Sequence, residues 1–278
     1  MNSDYYFLNG FPPIFCITLD AQSERSQRVA TACAKYGLEL HFLLRKKGDN
    51  SNILPNVALR GLSKPVIGCL CSHLYALDVI WRKNLHCAII CEDDIDFDSS
   101  FQAWDFTWTD LLRTLPSDAE YLKLHQLLWS AGILTIGKES YYPDGFPRIR
   151  PLAGLSGACY VVTKKFCEKM VARFVDNPDK CRTSIWDLPL YYTIAIDLLH
   201  PFVAKTKTLG KDVGMYYVPI TIVKEDHPST VGGSSLTLRL REVWNGYMLD
   251  VLKDPSKYQS RFRSTVEYAK KIKAEFIL

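Results

Sequence analysis

Residues 87–98 read Cys-Ala-Ile-Ile-Cys-Glu-Asp-Asp-Ile-Asp-Phe-Asp, a short apolar run that passes straight into five carboxylates. An unbroken apolar run of this length predicts a strand buried on both faces, and so a sheet covered by helices on each side. Such a strand ends at the rim of the sheet, where open α/β folds bind their ligands. The carboxylates of Glu92, Asp93, Asp94, Asp96 and Asp98 repel one another unless a cation or solvent intervenes. Oxygen ligands on a rim suit a hard cation such as Mg²⁺ or Mn²⁺. If the chain stays extended, residues two apart share a face, which pairs Glu92 with Asp94 and Asp94 with Asp96. Asp94 belongs to both pairs and is the first candidate ligand. The plain alternative is a solvated acidic turn after a strand.

The chain has 278 residues, enough for one large α/β domain. Its 47% hydrophobic and 23% charged residues supply a core of ordinary size. The net charge of +4 comes from 34 basic and 30 acidic residues. Residues 256–278 hold Lys257, Arg261, Arg263, Lys270, Lys271 and Lys273 against Glu267 and Glu275, so they carry that whole excess. The body is neutral, which argues against a nucleic-acid partner. The nine cysteines form no Cys-x-x-Cys pair and lie mostly in apolar runs, as reduced core thiols do. Residues 1–10 have no signal-peptide pattern, and no apolar run approaches a membrane span. A cytoplasmic protein of bacterial or viral origin, or a piece of a longer chain, is expected.

Ile14 to Leu19 predicts a first strand, Ser23 to Tyr36 a helix with Val29, Ala32, Cys33 and Tyr36 on one side, and Gly37 its stop. Leu38 to Leu44 predicts the second strand of a parallel βαβ unit. A helix from Pro65 carries the stripe Ile67, Leu70, Leu74, Leu77 and Trp81. Further strands are expected at 121–124, 158–162, 202–204 and 216–222, and a helix at Lys164 to Phe174. A C-terminal helix is expected on the stripe Tyr258, Phe262, Val266, Ala269, Ile272 and Phe276. One α/β domain is predicted over residues 1–235, with a helical extension over 236–278 packed on it.

Three stretches together resemble family 25 glycosyltransferases. They are Ile17-Thr18-Leu19-Asp20 with Ser23-Glu24-Arg25, then Gly68-Cys69-Leu70-Cys71-Ser72-His73, then Glu92-Asp93-Asp94. Thr18 stands where the family usually has Asn. Gly157 to Val162 before a helix is a weaker fourth stretch. The resemblance implies a GT-A (Rossmann-like) fold: a mostly parallel sheet flanked by helices, with a nucleotide-sugar at the strand ends.

It also implies roles. Asp94 is the first metal ligand, with Asp96 or Glu92 as a further one and His227 as a late addition from the loop at 225–230. Thr18, Leu19 and Arg25 would hold base and phosphate, and Asp93 the ribose. Ser72 and His73 would lie near the nucleotide, and Gly154, Ser156 and Gly157 would form a loop near donor and acceptor. Asp187, at a helix start, would be the base that deprotonates the acceptor hydroxyl. The plain alternatives are an N-cap for Asp187, a hydrogen-bonded core histidine for His73, and a surface histidine for His227.

The implied activity is metal-dependent, inverting transfer of galactose or glucose from a UDP-sugar to a hydroxyl of a glycan or of hydroxylysine in a protein. Mn²⁺ or Mg²⁺ is the implied cofactor. Partners would be donor and acceptor, without nucleic acid, and with a homodimer left open. A catalytically inactive binding module on the same fold is the second reading. A calcium loop from Asp94 is disfavoured, because Ser99 and Asp105 stand where glycine and glutamate are needed.

Overall fold

The computed structural model describes residues 8–44, 64–125, 150–151, 157–174, 213–224, 235–254 and 268. Strand β1 (Ile14–Thr18) leads into helix α1 (Glu24–Tyr36) and strand β2 (Leu40–Leu44). The Ser23 side chain caps α1 by accepting from the Ser26 N–H, and Gly37 ends it in the left-handed conformation at φ 66°. The sequence places the stop at Gly37, and Ser23, expected as the first helical residue, is the cap before it. Val29, Ala32, Cys33 and Tyr36 are all buried, so the predicted stripe is the packed face.

Helix α2 (Lys64–Arg82) returns the chain to strand β3 (Cys87–Glu92). Leu74 and Leu77 of its stripe are buried, and Trp81 packs against the core from the edge. Strands β1 and β2 pair in parallel, as do β1 and β3. The βαβ unit is therefore confirmed, and β1 lies between its two successors.

After β3 come the two-residue strand β4 (Ile95–Asp96) and helices α3 (Phe97–Ala103) and α4 (Trp108–Arg113). Then follow β5 (Ala119–Lys123), β6 (Arg150–Pro151), β7 (Cys159–Thr163), α5 (Lys164–Phe174), β8 (Gly214–Tyr217), β9 (Ile222–Val223) and α6 (Ser235–Lys253). The main sheet has the order β2-β1-β3-β7-β5-β8-β6. Strand β7 is antiparallel to both β3 and β5, and β6 to β8, while β5 and β8 are parallel. Five of the seven strands therefore run one way: a mostly parallel α/β sheet, as expected. Strands β4 and β9 form a separate antiparallel ribbon.

Two cores cover the sheet. Cys16, Ile89, Cys91 and Cys159 face one core with α1, α3, α4 and α6, in which Phe97 stacks on Phe101 and Phe11 meets the rings of Phe101 and Trp108 edge-on. Phe15, Ala88, Ile90, Tyr121 and Tyr160 face the other, with α2 and α5. Alternate residues of one strand thus enter opposite cores, the pattern of a strand buried on both faces. The described cysteines are all free thiols.

Two expectations change. The acidic run is not extended: Asp93 and Asp94 form a turn between β3 and β4, and the chain becomes helical at Phe97. Two-residue alternation therefore does not carry through it. The late strand expected at 216–222 is split into β8 and β9, which join different sheets. The C-terminal helix found, α6, lies before the stripe named from the sequence, and Tyr247, Met248 and Leu252 bury it in the first core. All six residues of the stripe between 258 and 276 lie outside the described residues, as does the expected strand at 202–204. No described helix is long and apolar enough to cross a membrane.

Candidate active site at the strand ends

From β1 the chain crosses to β2 on one side through α1, then back over β1 to β3 on the other through α2. The sheet therefore reverses direction between β1 and β3. In open α/β sheets the crevice outside such a reversal is where ligands bind. Thr18 and Glu92 are the last residues of the two strands.

One cluster lies at these strand ends on the α1 side. Thr18 Oγ1 donates to Asp93 Oδ2 at 2.7 Å and lies 2.8 Å from Ser26 Oγ. Arg25 Nη2 meets Asp93 Oδ1 at 2.9 Å and Asp94 Oδ2 at 3.3 Å. One guanidinium nitrogen thus bridges both carboxylates of the turn. Arg25 reaches them because it stands in the first turn of α1, whose N-terminus opens on the same rim. The Asp94 carbonyl accepts from the Lys224 N–H at 2.7 Å, which ties the turn to the end of β9.

A second cluster lies on the α2 side. His73 is fully buried, with Nε2 3.2 Å from Glu92 Oε1 and Nδ1 2.8 Å from Tyr160 Oη. Cys69, one helical turn earlier, donates its thiol to the same Glu92 oxygen at 3.7 Å. Burial pushes the Glu92 carboxyl up, but the His73 hydrogen bond and charge, with Arg25 behind them, outweigh it and hold it below its ordinary value.

Each acidic side chain thus has a protein partner, Arg25 being shared by Asp93 and Asp94. Asp96 caps α3, accepting from the Ser99 N–H at 3.0 Å and the Ser99 hydroxyl at 2.8 Å. Asp98 accepts from Lys35 at 2.6 Å and Tyr36 at 2.8 Å. Arg25, Lys35 and the Ser99 backbone N–H are the protein groups that meet these carboxylates. Arg25 and the backbone turn join Asp94 to Asp93, while Asp96 is committed to its helix.

Thr18, Arg25, Asp93 and Asp94 come together as the sequence predicts. Leu19 follows them, 48% exposed, as an apolar surface at the rim. Ser72 donates to the Gly68 carbonyl at 2.7 Å and so serves its own helix. Gly157 is buried just before Ala158, whose carbonyl accepts from the Glu92 N–H at 2.9 Å. Gly154, Ser156, Asp187 and His227 lie outside the described residues. Sequence reading missed Ser26, Cys69 and Tyr160. The four-residue spacing from Cys69 to His73 was the available signal for one of them. Tyr160 stood in the weaker fourth stretch of the resemblance, but nothing there points to α2, against which strand pairing sets it.

Residues 11–132 match the family model described as glycosyltransferase family 25 (LPS biosynthesis protein). The match spans β1 through β5, and so takes in every residue of both clusters except Tyr160 and Lys224. Among solved structures, a glycosyltransferase involved in the glycosylation of the major capsid of PBCV-1 is similar at 10% identity and a TM-score of 0.33. The similarity covers 60% of this chain and 66% of that one, just under two thirds of its length. No curated protein matches the chain.

Proposed function

We propose that this chain, a glycosyltransferase by its family 25 segment over residues 11–132, transfers a hexose from a UDP-sugar to a hydroxyl of a glycan or of hydroxylysine in a protein. The observation that carries this reading is the Thr18–Arg25–Asp93–Asp94 cluster at the reversal between β1 and β3. A nucleoside diphosphate needs three things there: a surface for the base, an acceptor for ribose hydroxyls and cationic donors for the phosphates. Leu19, Asp93 and Arg25 have those chemistries and stand within one turn of the strand ends.

The proposed metal is Mn²⁺ or Mg²⁺. Asp94 fits as its carboxylate, because it stands on the rim turn between two strands. Its pairing with Arg25 is a contact between partly exposed groups that a divalent cation can displace. Asp96 fits less well, since both of its oxygens accept from Ser99. His227 is supported by chain length: it follows Lys224 by three residues, within about 10 Å of extended chain, and Lys224 is bonded to the Asp94 carbonyl. When bound, the metal supplies Lewis-acid neutralisation of the departing diphosphate. Asp94, shared with the metal, would release Arg25 toward a phosphate oxygen. Asp93, still held by Thr18, would keep its orientation toward the ribose. Asp187 is the proposed base that takes the acceptor proton, giving inversion by direct displacement.

The test is calorimetric titration of UDP into the full chain, with Mn²⁺ and then with EDTA. Metal-dependent binding that is lost in Asp94→Ala is the expected result. Absence of binding in both conditions overturns the donor assignment.

A further inference from the structure

We propose that Cys69, His73 and Glu92 form a zinc site, separate from the Asp94 metal, with its open fourth position facing the rim. These side chains bring their ligand atoms within 4.8 Å of one another, and among the described residues they are the cluster of metal-capable groups. Both separations to the Glu92 oxygen are close to those of a tetrahedral site, and the third, from Cys69 to His73, is within 4.8 Å. Zinc–ligand bonds of about 2.0–2.3 Å place a nitrogen and an oxygen ligand roughly 3.4 Å apart, and a sulfur and an oxygen roughly 3.6 Å apart. The observed separations are 3.2 Å for His73 Nε2 to Glu92 Oε1 and 3.7 Å for Cys69 Sγ to the same oxygen. A cation can therefore enter with little rearrangement.

The chemistry of the set agrees. Thiolate, imidazole and carboxylate together select a borderline-soft ion rather than Mg²⁺ or Ca²⁺. One thiolate and one carboxylate neutralise Zn²⁺, so no net charge is placed beside the buried sheet. Cys69 and His73 stand at i and i+4 on α2, which points both to one side of the helix. Histidine ligands need a partner on the other ring nitrogen. Tyr160 Oη supplies it at 2.8 Å, and its hydroxyl oxygen can accept from Nδ1–H when Nε2 holds the metal. His73 is fully buried, whereas the Glu92 side chain is 30% exposed. The remaining coordination position therefore opens at the strand end, where a water or a ligand oxygen can take it. Binding would release the Cys69 thiol proton to solvent.

The full chain, stripped with chelator, is titrated with Co²⁺ and followed by absorption. The expected result is one equivalent with a thiolate-to-cobalt charge-transfer band and the strong visible bands of a tetrahedral ion, both abolished by stoichiometric Zn²⁺. Cys69→Ser should remove the charge-transfer band. Tyr160→Phe should weaken zinc about 10-fold or more by freeing the imidazole. Asp94→Ala should leave the band intact, which separates this site from the proposed donor metal. A featureless titration overturns the proposal, as does a band that survives Cys69→Ser or disappears in Asp94→Ala. Cys69 is partly exposed, so its serine variant is expected to fold even where His73→Ala does not.

Discussion

Thr18 Oγ1 and Asp93 Oδ2 stand 2.7 Å apart although 75 positions separate them in the chain. The contact bridges the reversal between β1 and β3 and fixes the turn that carries the acidic pair. Thr18→Val keeps the β-branched shape of the strand and removes only the hydroxyl. It is expected to cost about 1.5–3 kcal/mol, the usual loss for a hydrogen bond to a charged group, and to weaken UDP binding. The urea midpoint and the titration are read together. An unchanged midpoint would mean that the Arg25 bridge alone holds Asp93.

Asp94→Ala should remove metal-assisted UDP binding while the fold survives. Arg25 keeps Asp93 at 2.9 Å, and the bond from Lys224 is made by the Asp94 backbone. Near-ultraviolet circular dichroism checks the fold. Full metal-dependent binding in a folded variant would take Asp94 out of the site.

Asp187→Asn should reduce turnover by about 100-fold or more, in the range typical of a lost general base, with donor affinity little changed. An amide cannot accept the acceptor proton. A collapse in donor affinity would instead put Asp187 in the donor site or in a helix cap.

Two glycines should answer to alanine for different reasons. Gly37 has φ 66° with nothing within 4 Å of an added Cβ, so Gly37→Ala is expected to cost about 1 kcal/mol from backbone strain alone. At Gly214 a Cβ would lie 2.1 Å from the Asp118 carbonyl oxygen, backbone that cannot swing aside. Gly214→Ala should cost about 2–3 kcal/mol, at the upper end of overpacking. Equal losses in thermal unfolding would contradict this distinction.

The buried thiols set an alkaline limit. Burial, helped by Cys16, pushes Cys33 up to about 12, and burial also pushes Cys167 up to about 12, from an ordinary 9.0. A group whose pKa is raised on folding stabilises fully below its unfolded value. That contribution is lost as pH climbs from 9 toward 12. Stability should therefore fall over this window, less steeply in Cys33→Ala. Peptide-level alkylation at neutral pH should spare Cys16, Cys33, Cys91, Cys159 and Cys167 until the chain unfolds.

Local signals were legible wherever one segment decides its own geometry. Ser23 and Gly37 bound α1 because a cap and a left-handed stop are properties of a few adjacent residues. The stripe on α1 and the apolar run of β3 were read correctly because periodicity is a local count. The acidic run misled for the opposite reason. Its alternation assumed extended backbone, but the Ser99 N–H draws Asp96 into capping α3, and Asp93 and Asp94 turn toward Arg25.

The sequence by itself determined the α/β class, the βαβ start, the carboxylate-bearing strand end and the resemblance to family 25 glycosyltransferases. Each follows from residue type and spacing along one stretch of chain. The tertiary structure alone decided which charges meet. It brought Arg25 to Asp93 and Asp94 on one side of β3, and His73, Cys69 and Tyr160 to Glu92 on the other. Glu92, the last residue of its strand, faces α2, whereas the turn after it carries Asp93 and Asp94 to α1, and only the packing of those helices on the sheet chooses the partners.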